Sequence, residues 1–236
     1  MGYRTGFIGR RSFLKFGSIG AFSLTASSLS WQVKQAQAAE LSGASSLNPD
    51  EALQKLLEGN QRFVQHHPEY PDQSAARLLE VAQAQHPFAT VLSCADSRVP
   101  AEIVFDQGIG DIFDVRIAGN IATPEALGSI EYAVVLLGTP VLMVLGHERC
   151  GAVTAAVQNE PLPGAIGAFV KPILPAVEQV KGLPGDLVDN AVTANVRYQM
   201  EQLKRSQLLT ERVQSGQLRI VGGRYDLDSG TVTLVA

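Results

Sequence analysis

Cysteine is scarce in this 236-residue chain, which has two, Cys94 and Cys150. A multi-bridge disulfide scaffold is excluded, because one bridge is the most the chain could form. Tryptophan occurs once and histidine four times, and charged residues make up 18% of the chain against 45% hydrophobic ones. That is ordinary globular composition, unlike a disordered or fibrous chain. Clustered cations are missing as well. The formal net charge is −4, and no stretch gathers Lys and Arg onto one face, so nucleic-acid binding lacks its electrostatic footprint. The sequence has neither an internal repeat nor a long low-complexity tract, which excludes solenoids and repeat arrays.

One absence is local. Residues 1–38 contain no Asp or Glu but five cations, Arg4, Arg10, Arg11, Lys15 and Lys34. The rest of the chain therefore carries −9, the whole-chain −4 less those five cations. The basic stretch precedes a mostly apolar run from Phe16 to Trp31, and Ala36-Gln37-Ala38 offers small side chains for cleavage before Ala39. The run holds Gly17, Gly20 and five serines, which is weakly apolar for a bilayer span of ~20 residues. A cleaved signal peptide is expected over a retained anchor. Arg10-Arg11-Ser12-Phe13-Leu14-Lys15 resembles a twin-arginine export signal, with Gly9 where Ser or Thr usually precedes the pair. The resemblance implies export of an already folded protein, to a periplasm or comparable lumen. The expected organisation is a signal peptide over 1–38 and one domain over 39–236, a size that fits a single core.

Within that domain, Asn48-Pro49-Asp50-Glu51 predicts a helix start, with Leu53, Leu56, Leu57, Phe63 and Val64 on one face. Residues 74–84 predict a second helix. The short apolar runs 88–93, 112–116 and 141–145 read as strands, the first and third buried on both faces. Residues 124–137 predict an apolar helix stopped by Gly138. Further helices are expected from Gly151 to Gln158, over 171–180 and over 186–206, with final strands at 218–221 and 231–235. Alternating strands and helices give an α/β fold, a mostly parallel β-sheet flanked by helices. Sites in such sheets form beyond the carboxyl ends of the strands.

The chemistry-bearing residues fall at those ends. Cys94 follows strand 88–93, and His147 and Cys150 follow strand 141–145. Neighbouring parallel strands would bring the three together. A Cys94–Cys150 disulfide is the competing reading, but it leaves no role for a histidine three residues before Cys150. Two sulfurs and one nitrogen suit Zn²⁺, and three protein ligands leave a fourth position open, as in catalytic sites.

The context of these residues is specific. Cys94-Ala95-Asp96-Ser97-Arg98-Val99-Pro100 and Gly146-His147-Glu148-Arg149-Cys150-Gly151 resemble the two signature motifs of β-class carbonic anhydrases. Gly59-Asn60-Gln61-Arg62-Phe63, Gly119-Asn120 and Gly223-Arg224-Tyr225-Asp226-Leu227 extend the resemblance to residues 47–235. It implies one zinc ion per subunit on Cys94, His147 and Cys150, and reversible hydration of CO₂ to bicarbonate and a proton by a hydroxide on the metal. Asp96 and Arg98 correspond to the paired carboxylate and guanidinium beside the metal. Gln85, Phe113 and Tyr132 match residues of the substrate pocket, where the two aromatics often come from a partner subunit, so a homodimer or higher homo-oligomer is implied. In the family the aspartate can also swing onto zinc. One subgroup carries a tryptophan three residues before the first cysteine as part of a bicarbonate site; here that position is Val91, and Arg116 is expected to serve structure.

The residues are consistent with the chemistry. Zinc lowers the pKa of a bound water from about 16 to ~7. Asp96 would accept a hydrogen bond from the nucleophile and orient it, held ionised by Arg98. Hydrolysis of carbonyl sulfide or carbon disulfide on the same fold, and a non-catalytic zinc protein, stand as alternatives. His66, His67 and His86 are expected at the surface.

Overall fold

The computed structural model describes residues 45–235. The signal-peptide expectation, residues 1–38, lies outside them. Helix α1 (Pro49–Val64) opens as its sequence dictates: Asn48 accepts from the backbone N–H groups of Asp50 and Glu51, the Glu51 carboxylate accepts from the Asn48 N–H, and Pro49 takes the first turn. Helix α2 (Ala75–Val81) is capped by Ser74 and stops three residues short of the predicted end. Strand β1 (Ala89–Ser93) is buried throughout. A single turn, α3 (Ala101–Val104), leads to β2 (Ile112–Arg116), α4 (Pro124–Val135) and β3 (Val141–His147). Then follow α5 (Gly151–Gln158), α6 (Leu174–Val180), α7 (Leu187–Leu203), α8 (Gln207–Gln214), β4 (Arg219–Tyr225) and β5 (Val232–Val235).

The five strands run in the order β2-β1-β3-β4-β5, parallel except for β5. The expected α/β architecture is the one found. Residues of β3 alternate between two cores. Val141, Met143 and Leu145 meet Leu53 and Leu56 of α1 on one face, whereas Leu142 and Val144 meet Ile130 of α4 and Val196 and Leu203 of α7 on the other. Cover on both faces explains why β1 and β3 read as continuous apolar runs rather than alternating ones. At about 25 cal/mol per Å² of apolar surface, each fully buried Leu or Val adds roughly 1.5–3 kcal/mol before entropy is counted. Among the described residues, no helix is long and apolar enough to cross a membrane.

Further boundaries differ from expectation, among them the end of β4, which runs to Tyr225 rather than 221. Strand β3 runs two residues further than 141–145, because β4 keeps pairing with it through Gly146↔Arg224 and His147↔Tyr225. His147 is thus the last residue of the strand rather than part of the loop after it. The segment 186–206 ends as a helix at Leu203, and Ser206 caps a separate α8 by accepting from the Leu209 N–H. The helix expected over 171–180 begins at Leu174, with Pro175 in its first turn.

Candidate metal centre

The site is built at the carboxyl ends of β1 and β3, which lie side by side and in register from Ala89↔Val141 to Ser93↔Leu145. Cys94 leaves β1 in the next position. His147 closes β3, and a two-residue turn with Arg149 in a left-handed conformation (φ 49°) returns the chain to Cys150, the N-cap of α5. A helix N-terminus favours a thiolate there. Cys94, His147 and Cys150 are all buried, and one ligand atom from each lies within 4.8 Å of the other two. The two sulfurs are 3.9 Å apart and unbonded, so the disulfide reading is set aside. The thiols behave as a pair. The hydrogen bond from Cys150, opposed by burial and helped by the Gly119 N–H, pulls Cys94 below the usual thiol range. The same hydrogen bond, burial and the charge on Cys94 push Cys150 above the usual thiol range.

The imidazole is aimed. His147 Nδ1 lies 2.8 Å from the Glu148 carbonyl oxygen and donates to it, which leaves Nε2 as the ring atom placed to meet a metal ion. His147 is fully buried and Nε2 has no hydrogen-bond partner, a costly arrangement for a polar atom unless something else fills that role. Two thiolates on one tetrahedral Zn²⁺ stand about 3.8 Å apart, given Zn–S bonds of about 2.3 Å. The observed sulfur separation and the orphaned nitrogen both fit that ion, and so does a donor set of two sulfurs and one nitrogen.

Asp96 and Arg98 stand beside the triad. Arg98 Nε and Nη2 donate to Asp96 Oδ1 and Oδ2 at 2.9 and 2.8 Å, and the Arg98 N–H adds a third bond to Oδ1 at 3.0 Å. These bonds hold the Asp96 carboxyl well below the usual carboxylate range. Asp96 Oδ2 is 3.8 Å from His147 Nε2, but Asp96 is not one of the three grouped ligands, and both its oxygens are engaged by Arg98. Arg116, expected to serve structure because Val91 replaces the tryptophan of the bicarbonate-site subgroup, is engaged with backbone carbonyls. Its guanidinium donates to the Cys94 carbonyl from Nε and Nη2 at 3.2 Å and to the Asp96 carbonyl at 2.6 Å, tying the ligand loop to the end of β2.

The pocket residues are not gathered to this site within one chain. Phe113 pairs with Thr90, four rungs back from Cys94, or about 13 Å along the strand at the usual rise. It packs on Tyr132 of α4 with ring centroids 6.1 Å apart, and Tyr132 is 44% exposed. Gln85 is exposed in the loop before β1, at the opposite edge of the sheet from Cys94. Nine residues of β1 and its lead-in separate Gln85 from Cys94, so within one chain it does not line the space beside the metal ligands. His66, His67 and His86 are exposed, as expected. Sequence reasoning missed the Gly119 N–H, which lies 3.3 Å from Cys94 Sγ and donates to it. It also missed the buried amides Asn195 and Gln199 behind it. A pair of amides four residues apart among the apolar positions of 187–203 was the available signal.

Fold and site together define a parallel-sheet α/β protein with a buried Cys₂His centre for a borderline metal ion, flanked by an arginine-held carboxylate. Comparison with known proteins places it more closely. The family model described as carbonic anhydrase matches residues 89–232. Carbonic anhydrase 2 of Mycobacterium tuberculosis is 43% identical over 192 residues, covering 79% of this chain and 93% of that protein. The carbonic anhydrase of Mycolicibacterium smegmatis is 40% identical with the same coverage. Among solved structures, a Coccomyxa β-carbonic anhydrase in complex with acetazolamide superposes with a TM-score of 0.64 at 26% identity, covering 78% of this chain and 86% of that one. A tetrameric β-carbonic anhydrase from Sordaria macrospora shares the fold, with a TM-score of 0.65 at 21% identity over 78% of this chain and 96% of that one. The chain belongs to the carbonic anhydrase family, in its β class.

Proposed function

We propose that this carbonic anhydrase works with one zinc ion per subunit, held by Cys94, His147 and Cys150, and converts CO₂ and water reversibly to bicarbonate and a proton. The observation that carries this reading is His147 Nε2, a fully buried nitrogen without a hydrogen-bond partner, facing two sulfurs 3.9 Å apart. When bound, zinc supplies acidity to a water in the open position, bringing its pKa from about 16 to ~7.

The chain's own groups do the rest. Asp96 stays ionised because Arg98 grips both its oxygens, so it can accept a hydrogen bond from the attacking water and turn a lone pair toward the CO₂ carbon. Arg98 keeps that carboxylate off the metal position. Arg116 fixes the carbonyls of Cys94 and Asp96, and with them the distance between ligand and carboxylate. Half-exposed Arg98 and partly exposed Asp96 leave the site open on one side, where the product proton passes to solvent.

The apolar side of the CO₂ pocket comes from a second copy of the chain, through Phe113, Tyr132 and Gln85. Phe113 lies on the edge strand β2 with Tyr132 exposed beside it, which supports a homodimer or higher homo-oligomer. The charge pattern of residues 1–38 supports export by a twin-arginine-type route with cleavage near Ala38/Ala39, to a periplasm.

Purified mature chain should bind one equivalent of zinc and hydrate CO₂. Cys150→Ala should lose both. Asp96→Asn should keep the zinc and lose most of the hydration rate, by about 10²-fold or more. An Asp96→Asn enzyme that turns over CO₂ at the parent rate removes the carboxylate from the mechanism, and a parallel assay with carbonyl sulfide establishes the substrate.

A further inference from the structure

Helix α7 carries two amides on its buried face. Asn195 is 0% and Gln199 1% exposed, among Ala191, Val192, Ala194 and Val196. Asn195 Nδ2 donates to the Gly119 carbonyl at 2.9 Å. Gln199 Nε2 donates to Asn195 Oδ1 at 2.9 Å and to the Pro172 carbonyl at 3.2 Å. Gln199 Oε1 accepts from the Ala122 N–H at 3.0 Å. The pair therefore grips both ends of the loop from Gly119 to Ala122. That loop has two successive left-handed residues, Gly119 (φ 77°) and Asn120 (φ 45°), and its Gly119 N–H points at Cys94 Sγ.

We infer that Asn195 and Gln199 are positioning residues for the metal centre, holding the Gly119 loop so that its N–H donates to the Cys94 thiolate. Their partners are mainly backbone groups around the loop, the Gly119 and Pro172 carbonyls and the Ala122 N–H, which apolar side chains of the same shape would leave unsatisfied, so the two linked amides fix the course of that loop as well as filling the core. Two thiolates donate more charge to a metal than imidazoles do, and an N–H···S bond withdraws part of it. Partners one step behind metal ligands commonly change metal affinity 10- to 100-fold when removed. The inference rests on Cys94 being a zinc ligand.

The test uses the folded mature chain with Asn195→Leu and Gln199→Met, and Leu203→Ala as control. Leu203 is fully buried one turn further along α7 and packs in a different cluster, so it reports loss of stability alone. Zinc affinity is measured by competition with a chromophoric chelator. The thiolate-to-metal charge-transfer band is recorded on Co²⁺-substituted protein, and melting is followed in parallel. The expected result is zinc binding about tenfold weaker in both amide variants, with the cobalt band moved to longer wavelength, while Leu203→Ala melts lower with parent affinity and parent spectrum. If Asn195→Leu yields no folded chain, Gln199→Met decides. Amide variants that match Leu203→Ala in affinity and spectrum overturn the inference. A parent chain that binds no zinc would instead overturn the ligand assignment itself.

Discussion

At the scale of single residues, the site depends on positions where one atom more cannot fit. Gly119 is the sharpest case. A Cβ there would come within 2.6 Å of Ile173 Cδ1 and 3.1 Å of Ala152 Cβ, and the backbone φ of +77° is one that L side chains rarely adopt. Gly119→Ala must strain the backbone and shift the loop whose N–H reaches Cys94. The expected outcome is a loss of about 1–3 kcal/mol in urea unfolding under saturating zinc, together with weaker zinc in chelator competition. Unchanged zinc affinity would separate the glycine's steric role from its N–H···S bond. The residues that carry the metal chemistry were legible in the sequence because their types are rare and their spacing unusual. There are two cysteines in all, one with a histidine three residues before it. The amide pair Asn195 and Gln199 could have been noticed by its spacing, but its role was not legible until the partner of Asn195, the Gly119 carbonyl 76 residues away, was known. Where Gln85 stands relative to Cys94 was not legible for the converse reason: nine residues is a small separation along the chain but spans the full height of the sheet.

At the scale of elements, strands covered on both faces were easy to read and element ends were not. β1 and β3 are apolar runs because both faces are covered, but the extension of β3 to His147 is set by β4, which is more than 70 residues away. The break between α7 and α8 rests on Ser206 as a cap, a signal lost in a stretch whose helical pattern looks continuous. Edge strand β2 carries a charge that its neighbours make costly. Asp114, its side chain 12% exposed, is pushed up to about 6 by burial and then by Glu102, against the pull of Arg116. The native chain therefore binds a proton there at pH values where the unfolded chain, at the ordinary aspartate value of 3.8, does not. Stability from this group is greatest below about pH 4 and is lost as pH rises through about 6. Asp114→Asn should accordingly be more stable than the parent at pH 7.5, by on the order of 1–2 kcal/mol. The gap should close as pH falls toward 4. Urea titrations of both chains across that range, at saturating zinc, check the sign directly, since pH effects common to the two cancel in the difference. A gap that widens on acidification would mean that the Asp114 carboxylate is a net stabiliser, through Ser93 and Arg116.

At the scale of the whole molecule, one chain brings together the three residues proposed to hold zinc but not the residues proposed to line the CO₂ pocket. Cys94, His147, Cys150, Asp96 and Arg98 meet at the carboxyl edge of the sheet, while Phe113 stands four rungs away on the outermost strand with Tyr132 of α4 packed against it. Tyr132 and Leu136 of the α4 end are 44% and 47% exposed, and Ile103 and Ile109 are 60% and 45% exposed. An exposed aromatic with a second ring packed against it at the sheet edge, as Tyr132 and Phe113 are, suits an interface. The association of two chains would cover these residues and could carry the aromatics of one copy toward the metal of the other, which links oligomeric state to catalysis but not to zinc binding. Tyr132→Asp separates the two. A carboxylate placed in an apolar contact should disfavour association by several-fold to a hundredfold in dissociation constant, while the ligand cluster, built from β1, β3 and α5, stays intact. Light scattering across a dilution series should show the variant dissociating at concentrations where the parent remains associated. Zinc content should stay at one per chain, and kcat/KM for CO₂ should fall in step with the fraction of monomer. A zinc-loaded Tyr132→Asp monomer with parental kcat/KM would mean that a single chain builds its own pocket, and that the exposed apolar face serves assembly alone.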